Sequence, residues 1–291
     1  MPLSVTYPFP VHQISLGNGA SISYMDEGKG LQTIVFIHGL ANYAPVWLQN
    51  INSLKENYRC IALDLPGNGL SAPAVPQPAY SIQWLAHCLI DFIGRLGLQD
   101  ICLCGHSMGG QIAITALLEE PRCANKLALI APAGLEKFSF TDRLLLTQGM
   151  NMMGWLSTEE QQLHEALKSS FYKPNPATEK ITAELSRLMD GHQQRQAYKS
   201  MVQQCIAAMI DEPVLENLKN IHVPVLLVFG ENDALIPNRL LHRGSTRSLA
   251  TAAVRHFKNA QLFLVKDAGH FVQWEKAATV NKLLAAFMAK S

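Results

Sequence analysis

Ile101-Cys102-Leu103-Cys104-Gly105-His106-Ser107-Met108-Gly109-Gly110 runs from an apolar, strand-like segment through a glycine-flanked serine. The stretch that follows continues as a helix through Ile112, Ile114, Leu117 and Leu118. Gly-x-Ser-x-Gly in that setting predicts a strand, a very sharp turn and a helix. In such a turn the residues two before and two after the serine come close together, so positions 105 and 109 have room only for glycine. The turn projects the Ser107 hydroxyl from the strand end, and the positive end of the next helix faces any oxyanion that forms there. Gly110 is expected to let that helix pack tightly.

On either side of this stretch the same rhythm repeats. Short apolar runs at Thr33 to Ile37, Cys60 to Leu63, Leu127 to Ile130, Val223 to Phe229 and Leu262 to Val265 alternate with helix-like segments. Runs that are apolar on both faces predict a buried parallel sheet, and the alternation reads as βαβ units. After Ser81 as N-cap, Ile82, Leu85, Leu89, Ile93 and Leu96 recur at helical spacing. His12 to Leu16 and Ala20 to Met25 flank Gly17-Asn18-Gly19, a hairpin leading into the sheet. The fold class is therefore α/β, a mostly parallel central sheet flanked by helices.

Between Pro132 and Ile221 the strand-like runs stop, and pairs such as Leu163 with Leu167 and Ile181 with Leu185 take helical spacing. Residues 1–133 and 220–291 are expected to form the core, with 134–219 as a helical cap. The cap holds Met150, Met152, Met153, Met189, Met201 and Met209, together with Trp155. A small helical unit needs its own apolar face, which explains most of these; the sharper reading is an adaptable apolar lid over a pocket.

Composition narrows the function. With 291 residues, 48% hydrophobic, 16% charged and a net charge of +1, the chain can bury a large core. It carries no basic stripe for nucleic acid. No apolar run is long enough for a spanning helix. Met1 to Pro10 hold three prolines and no basic cluster ahead of an apolar stretch, against a secretory signal. The six cysteines are scattered, several in strand-like runs, and read as buried free thiols in a reducing, cytoplasmic setting. Cys102 and Cys104, two apart, are expected on one face of their strand. Metal-pair spacing, a P-loop and G-x-G-x-x-G are all missing, so no metal or other cofactor is implied.

A serine hydroxyl needs a base within reach. Among ten histidines His270 stands out, because Gln261 to Val265 reads as the last strand and Lys266-Asp267-Ala268-Gly269-His270 as the loop at its carboxyl edge. The competing role for His270 is to cap the final helix, whose apolar positions include Val272, Val280, Leu283, Leu284 and Phe287. One strand earlier, Gly230-Glu231-Asn232-Asp233 offers Asp233 to orient the imidazole, with Glu231 and Asp267 as rivals. His38-Gly39-Leu40 ends the first buried parallel strand, and the backbone N–H groups of Leu40 and Met108 are the candidate oxyanion donors. His38 is read as loop-shaping and Asp64, in Asp64-Leu65-Pro66-Gly67-Asn68-Gly69, as structural. His12, His87, His106, His164, His192, His222, His242 and His256 are assigned surface or packing roles.

Through His38-Gly39, Asp64 to Gly69, Gly105 to Gly110, Asp233 and His270, the chain resembles the α/β-hydrolase superfamily over nearly its whole length, including the order Ser, acid, His. The resemblance implies about eight strands with a helical cap inserted after the sixth. It is similar to capped carboxylesterases and lipases, and to haloperoxidase-like and carbon-carbon bond hydrolases. Dehalogenases and epoxide hydrolases carry Asp where this chain has Ser107, which disfavours their chemistry. The Gly-Pro-Gly-rich loop usual in carbon-carbon bond hydrolases is replaced by Leu40-Ala41-Asn42-Tyr43-Ala44-Pro45, which demotes that reading. The expected activity is carboxylesterase action on small to medium apolar acyl esters through Ser107, His270 and Asp233. Trp47, Met150, Met153 and Trp155 are the expected pocket walls. Lactonase, thioesterase, acyltransferase or perhydrolase action would use the same triad. A small-molecule receptor on the same fold is the alternative of another class. The expected partner is a small-molecule ester, without nucleic acid or stable membrane insertion.

Overall fold

In the computed structural model the described residues are 7–72, 79–139, 141–143, 164–165, 167–174, 176–187, 192–239, 241–242 and 244–290. The apolar runs become strands β1 (Val11–Ser15), β2 (Ser21–Glu27), β3 (Thr33–Ile37), β4 (Arg59–Leu63), β5 (Ile101–His106), β6 (Lys126–Ile130), β7 (Val225–Gly230) and β8 (Ala260–Val265). They form one sheet in the order β1-β2-β4-β3-β5-β6-β7-β8. β2 runs antiparallel to β1 and β4, and all other neighbours are parallel. The hairpin closes at Gly17-Asn18-Gly19, where Leu16 N–H donates to Ala20 O at 2.8 Å and Gly19 takes φ 84°.

β3, β5, β6 and β7 are buried along their whole length, as strands covered on both faces must be. Alternate side chains feed two apolar layers. Val35, Ile37 and Leu103 pack toward helices α2 (Ile82–Arg95) and α3 (Met108–Glu119), on the opposite side from α1 (Leu48–Leu54). Ile34, Phe36, Cys102 and Cys104 join Ile51 of α1 and the apolar side of the C-terminal helix. Cys102 and Cys104 thus share one face, and all six cysteines are free and buried. Ser81 caps α2, its hydroxyl accepting the Trp84 N–H at 2.9 Å.

Strand order reverses around β3, which lies between β4 and β5: from β3 the chain passes to β4 on one side and then crosses to β5 on the other. At such a reversal the loops leaving the carboxyl ends diverge and open a crevice. The loops after β3, β5, β7 and β8 carry His38, Ser107, Asp233 and His270.

Between β6 and β7 the described residues contain no strand. They form α4 (Pro176–Arg187), α5 (His192–Asp211) and a 3-10 turn over Leu215–Asn220. This segment is tied to the sheet's helices by specific polar bonds. Gln111 Nε2 donates to the Met209 and Glu212 carbonyls at 3.1 and 2.8 Å. The Glu212 carboxylate accepts the Ile82 and Gln83 N–H groups at the positive end of α2. Tyr43 OH donates to Glu184 at 2.7 Å.

After β7 the chain forms α6 (Thr246–Val254), and after β8 it ends in two helices rather than the single one expected from sequence. α7 (Val272–Glu275) stops at Lys276, which leaves helical geometry at φ −129°, ψ 45° before α8 (Ala277–Met288). The Glu275 carboxylate turns back to accept the Gly269 N–H at 2.8 Å, which keeps the first short helix folded onto the preceding loop.

Ser81→Ala removes one cap bond and is expected to cost about 1 kcal/mol in denaturant unfolding. Leu129→Ala in the fully buried β6 should cost several times more, about 2–5 kcal/mol. Equal losses would show that the central sheet does not dominate stability.

Candidate active site

β5 delivers Ser107 into a backbone conformation of φ 53°, ψ −120°, immediately before the first residue of α3. Two glycines make this turn possible. A Cβ on Gly105 would lie 2.4 Å from the Gly109 carbonyl oxygen, and one on Gly109 would lie 2.4 Å from the Ile37 oxygen. Gly110 packs on Pro132, where a Cβ would come to 2.7 Å. Gly39, on the loop after β3, sits against the serine itself, since a Cβ there would approach Ser107 Cβ to 3.0 Å.

Asp233 and His270 meet at the ends of β7 and β8. His270 Nδ1 donates to Asp233 Oδ2 at 2.9 Å, with the two residues 3% and 0% exposed. The other carboxylate oxygen, Oδ1, accepts the Leu235 and Ile236 N–H groups at 2.8 and 3.0 Å. Asp233 therefore shapes its own turn with one oxygen and orients the imidazole with the other. Because Nδ1 carries the proton in this bond, the lone pair of the neutral ring sits on Nε2. The rivals are otherwise engaged or absent from the pair: Glu231 bonds Arg247 at 2.5 Å, and Asp267 is exposed.

The N–H groups of Leu40 and Met108 donate to no protein acceptor among the described residues, although Met108 is 1% exposed. Buried N–H groups without an acceptor are rare. Two of them at the carboxyl ends of adjacent strands, one also at the start of α3, form a place for negative charge. Among the described residues neither the Ser107 hydroxyl nor His270 Nε2 makes a protein hydrogen bond, and no group of three or more His, Cys, Asp or Glu could hold a metal ion.

Residues 32–277 match the family described as the alpha/beta hydrolase fold. The chain belongs to that family. It is 28% identical over 289 residues to the uncharacterized hydrolase YugF of Bacillus subtilis strain 168, covering 96% of this chain and 98% of that protein. It is also 28% identical over 282 residues to a 2-hydroxy-6-oxononadienedioate/2-hydroxy-6-oxononatrienedioate hydrolase of Klebsiella pneumoniae, covering 94% of this chain and 93% of that one. The crystal structure of a probable hydrolytic enzyme from Pseudomonas aeruginosa PAO1 superposes with a TM-score of 0.82 at 25% identity, over 98% of this chain and 96% of that one.

Two further polar residues frame the site of this hydrolase without facing its chemistry. His38 uses both ring nitrogens on the backbone, Nδ1 donating to the Gly39 carbonyl at 2.7 Å and Nε2 accepting the Leu65 N–H at 3.0 Å. Burial pushes its pKa down to about 4, against the opposing pull of the Gly39 carbonyl. Asp64 accepts from Tyr7 OH, Ala44 N–H and Leu70 N–H at 2.5, 2.7 and 2.9 Å, so its carboxylate is committed to three loops. Burial nevertheless raises its pKa to about 6.

Of the expected pocket walls, Trp47 lies in the core. Its ring is fully buried, with its centroid 4.9 Å from that of Phe36 in the apolar layer beneath the sheet, where packing and not ligand contact fixes it. Met150, Met153 and Trp155 lie outside the described residues. Sequence reasoning missed Glu275 and Ser170. The Glu275 carboxylate joins Gly269 N–H to Tyr172 N–H, and the Ser170 carbonyl accepts the His270 N–H at 2.9 Å. The only sequence signal for Glu275 is its position five residues after His270. For Ser170, which acts through its main chain, there is none.

For His38 the fold favours the proton-free ring, whereas the unfolded chain titrates near 6.5. Its stabilisation is therefore complete above that value and lost as pH falls toward about 4. In His38→Gln the drop in unfolding free energy across that interval should shrink by about 3 kcal/mol. An unchanged pH slope in chemical unfolding would show that His38 is not buried in its neutral form.

Proposed function

We propose that this hydrolase is a serine carboxylesterase with Ser107 as nucleophile, His270 as general base and Asp233 as the acid that orients it. The observation that carries the reading is the buried Asp233–His270 bond of 2.9 Å, on strand ends beside the left-handed serine turn. Ser107 Oγ attacks the ester carbonyl carbon while His270 Nε2 takes its proton. The carbonyl oxygen becomes an oxyanion held by the Leu40 and Met108 N–H groups. Collapse expels the alcohol, which leaves with the proton from His270. Water then attacks the acyl-enzyme with His270 again as base, and the acid is released.

That Ser107 Oγ and His270 Nε2 have no protein partner among the described residues accords with this sequence, since catalytic contacts often close only around substrate. Residues 134–219 serve as the cap. Its content of Met150, Met153 and Trp155 favours small to medium apolar acyl groups.

The Klebsiella relative favours a second reading, carbon-carbon bond cleavage by the same residues. Assay on the dienedioate for which that relative is named, beside a chromogenic ester series, separates the two by which substrate turns over. A receptor without an activated serine would resist a fluorophosphonate probe.

Ser107→Ala should lower ester turnover by about 10⁴-fold or more with the fold retained, and Asp233→Asn by about 10⁴-fold. Wild-type turnover in Ser107→Ala, measured with a p-nitrophenyl ester, would overturn the nucleophile assignment.

A further inference from the structure

His106, between Gly105 and the nucleophile, was read from sequence as a packing residue, and its surroundings ask more of it. The ring is 1% exposed and lies among Trp47, His270 and Phe271, with centroids at 6.5, 4.8 and 4.9 Å. Its Nε2 donates to the His270 carbonyl at 3.0 Å. Its Nδ1 is buried with no partner. An orphaned buried acceptor costs about 1–3 kcal/mol, so an apolar ring would suit this core position better if packing were the only demand.

The geometry of the sheet supplies the other demand. Ser107 leaves β5 and His270 leaves β8, with β6 and β7 between them, so the two loops start on strands about 14 Å apart and share no ladder. The bond from His106 Nε2 to the His270 carbonyl joins the serine turn directly to the base. On its other side the same residue is held by its N–H to Ser170 O, at 2.9 Å. With Nδ1 on Asp233, only Nε2 of His270 is left uncommitted.

We propose that His106 is a positioning residue, whose Nε2–H sets the place of the His270 main chain and hence the approach of its imidazole to Ser107. The role rests on the serine hydrolase reading above. Burial and the nearby His270 hold the His106 ring well below its ordinary pKa. It therefore remains a neutral donor and adds no charge beside the imidazolium formed in turnover.

The test compares His106→Phe with His106→Gln. Phenylalanine keeps the ring stack and loses the donor, while the glutamine amide places an N–H near the position of imidazole Nε2. With a chromogenic ester, His106→Phe should lower kcat about ten- to hundredfold with little change in KM, and His106→Gln should recover most of the loss. The fluorophosphonate labelling rate should follow kcat, and melting temperatures should stay close to wild type. Wild-type kcat in His106→Phe, or equal losses in both variants, would overturn the positioning role alone. If the phenylalanine chain fails to fold, His106→Leu against His106→Gln makes the same comparison. A wild-type protein that neither turns over esters nor takes the probe overturns the serine hydrolase reading and this role with it.

Discussion

Holding Ser107 at φ 53°, ψ −120° is the constraint around which the site is organised. An L-residue there stores about 1–3 kcal/mol and remains only if its surroundings leave no alternative. Those surroundings are the buried sheet. Ser107 N–H donates to Ile130 O at the end of β6, and Ser107 O accepts from Gly110 and Ala133 N–H at 2.9 and 3.0 Å. On the β3 side, the Ile37 and His38 carbonyls press against Gly109 so closely that no side chain fits. Burial of four parallel strands thus fixes the serine, and the unbonded Met108 N–H follows from the same turn, while that of Leu40 comes from the loop after β3.

Three histidines lie within this small volume, and their hydrogen bonds separate their roles. His38 has both nitrogens on the backbone, and His106 has one on the His270 carbonyl and one with no partner. Both are driven toward neutrality by burial, so neither competes for a proton at the pH where a base is needed. Of the three, only His270 pairs with a carboxylate. On the proposed mechanism the base is the ring with an anion behind it, and not the ring nearest in sequence.

Legibility followed the range of the interaction. The strands, the Ser81 cap and the elbow were readable because each depends on neighbours a few residues away, and Gly105 and Gly109 mark a local steric limit. Asp233 and His270 were readable as strand-end residues, since a parallel sheet presents its loops at one edge. The surroundings of Trp47 were not legible, because apolar bulk is equally suited to a pocket wall or a core and its contact with Phe36 of β3 is made across the fold. The role of Glu275 depends on Tyr172 N–H, about a hundred residues away and invisible to any periodicity. His106 carries no local signal at all, for its partner is a main-chain carbonyl on a loop three strands distant.

The loop that carries His270 is therefore not suspended from the sheet alone. Gly269 lies so close to the segment after β6 that a Cβ would come within 2.7 Å of Tyr172 N, and Glu275 bonds both residues. His270 itself donates its N–H to Ser170 O of that segment. A displacement of residues 170–172 would pull directly on the main chain of His270. Part of the segment between β6 and β7 is thus bonded to the loop that carries His270. Changes of specificity that remodel residues 170–172 must therefore preserve two main-chain bonds and one carboxylate, whereas changes elsewhere in the insertion are released from that requirement.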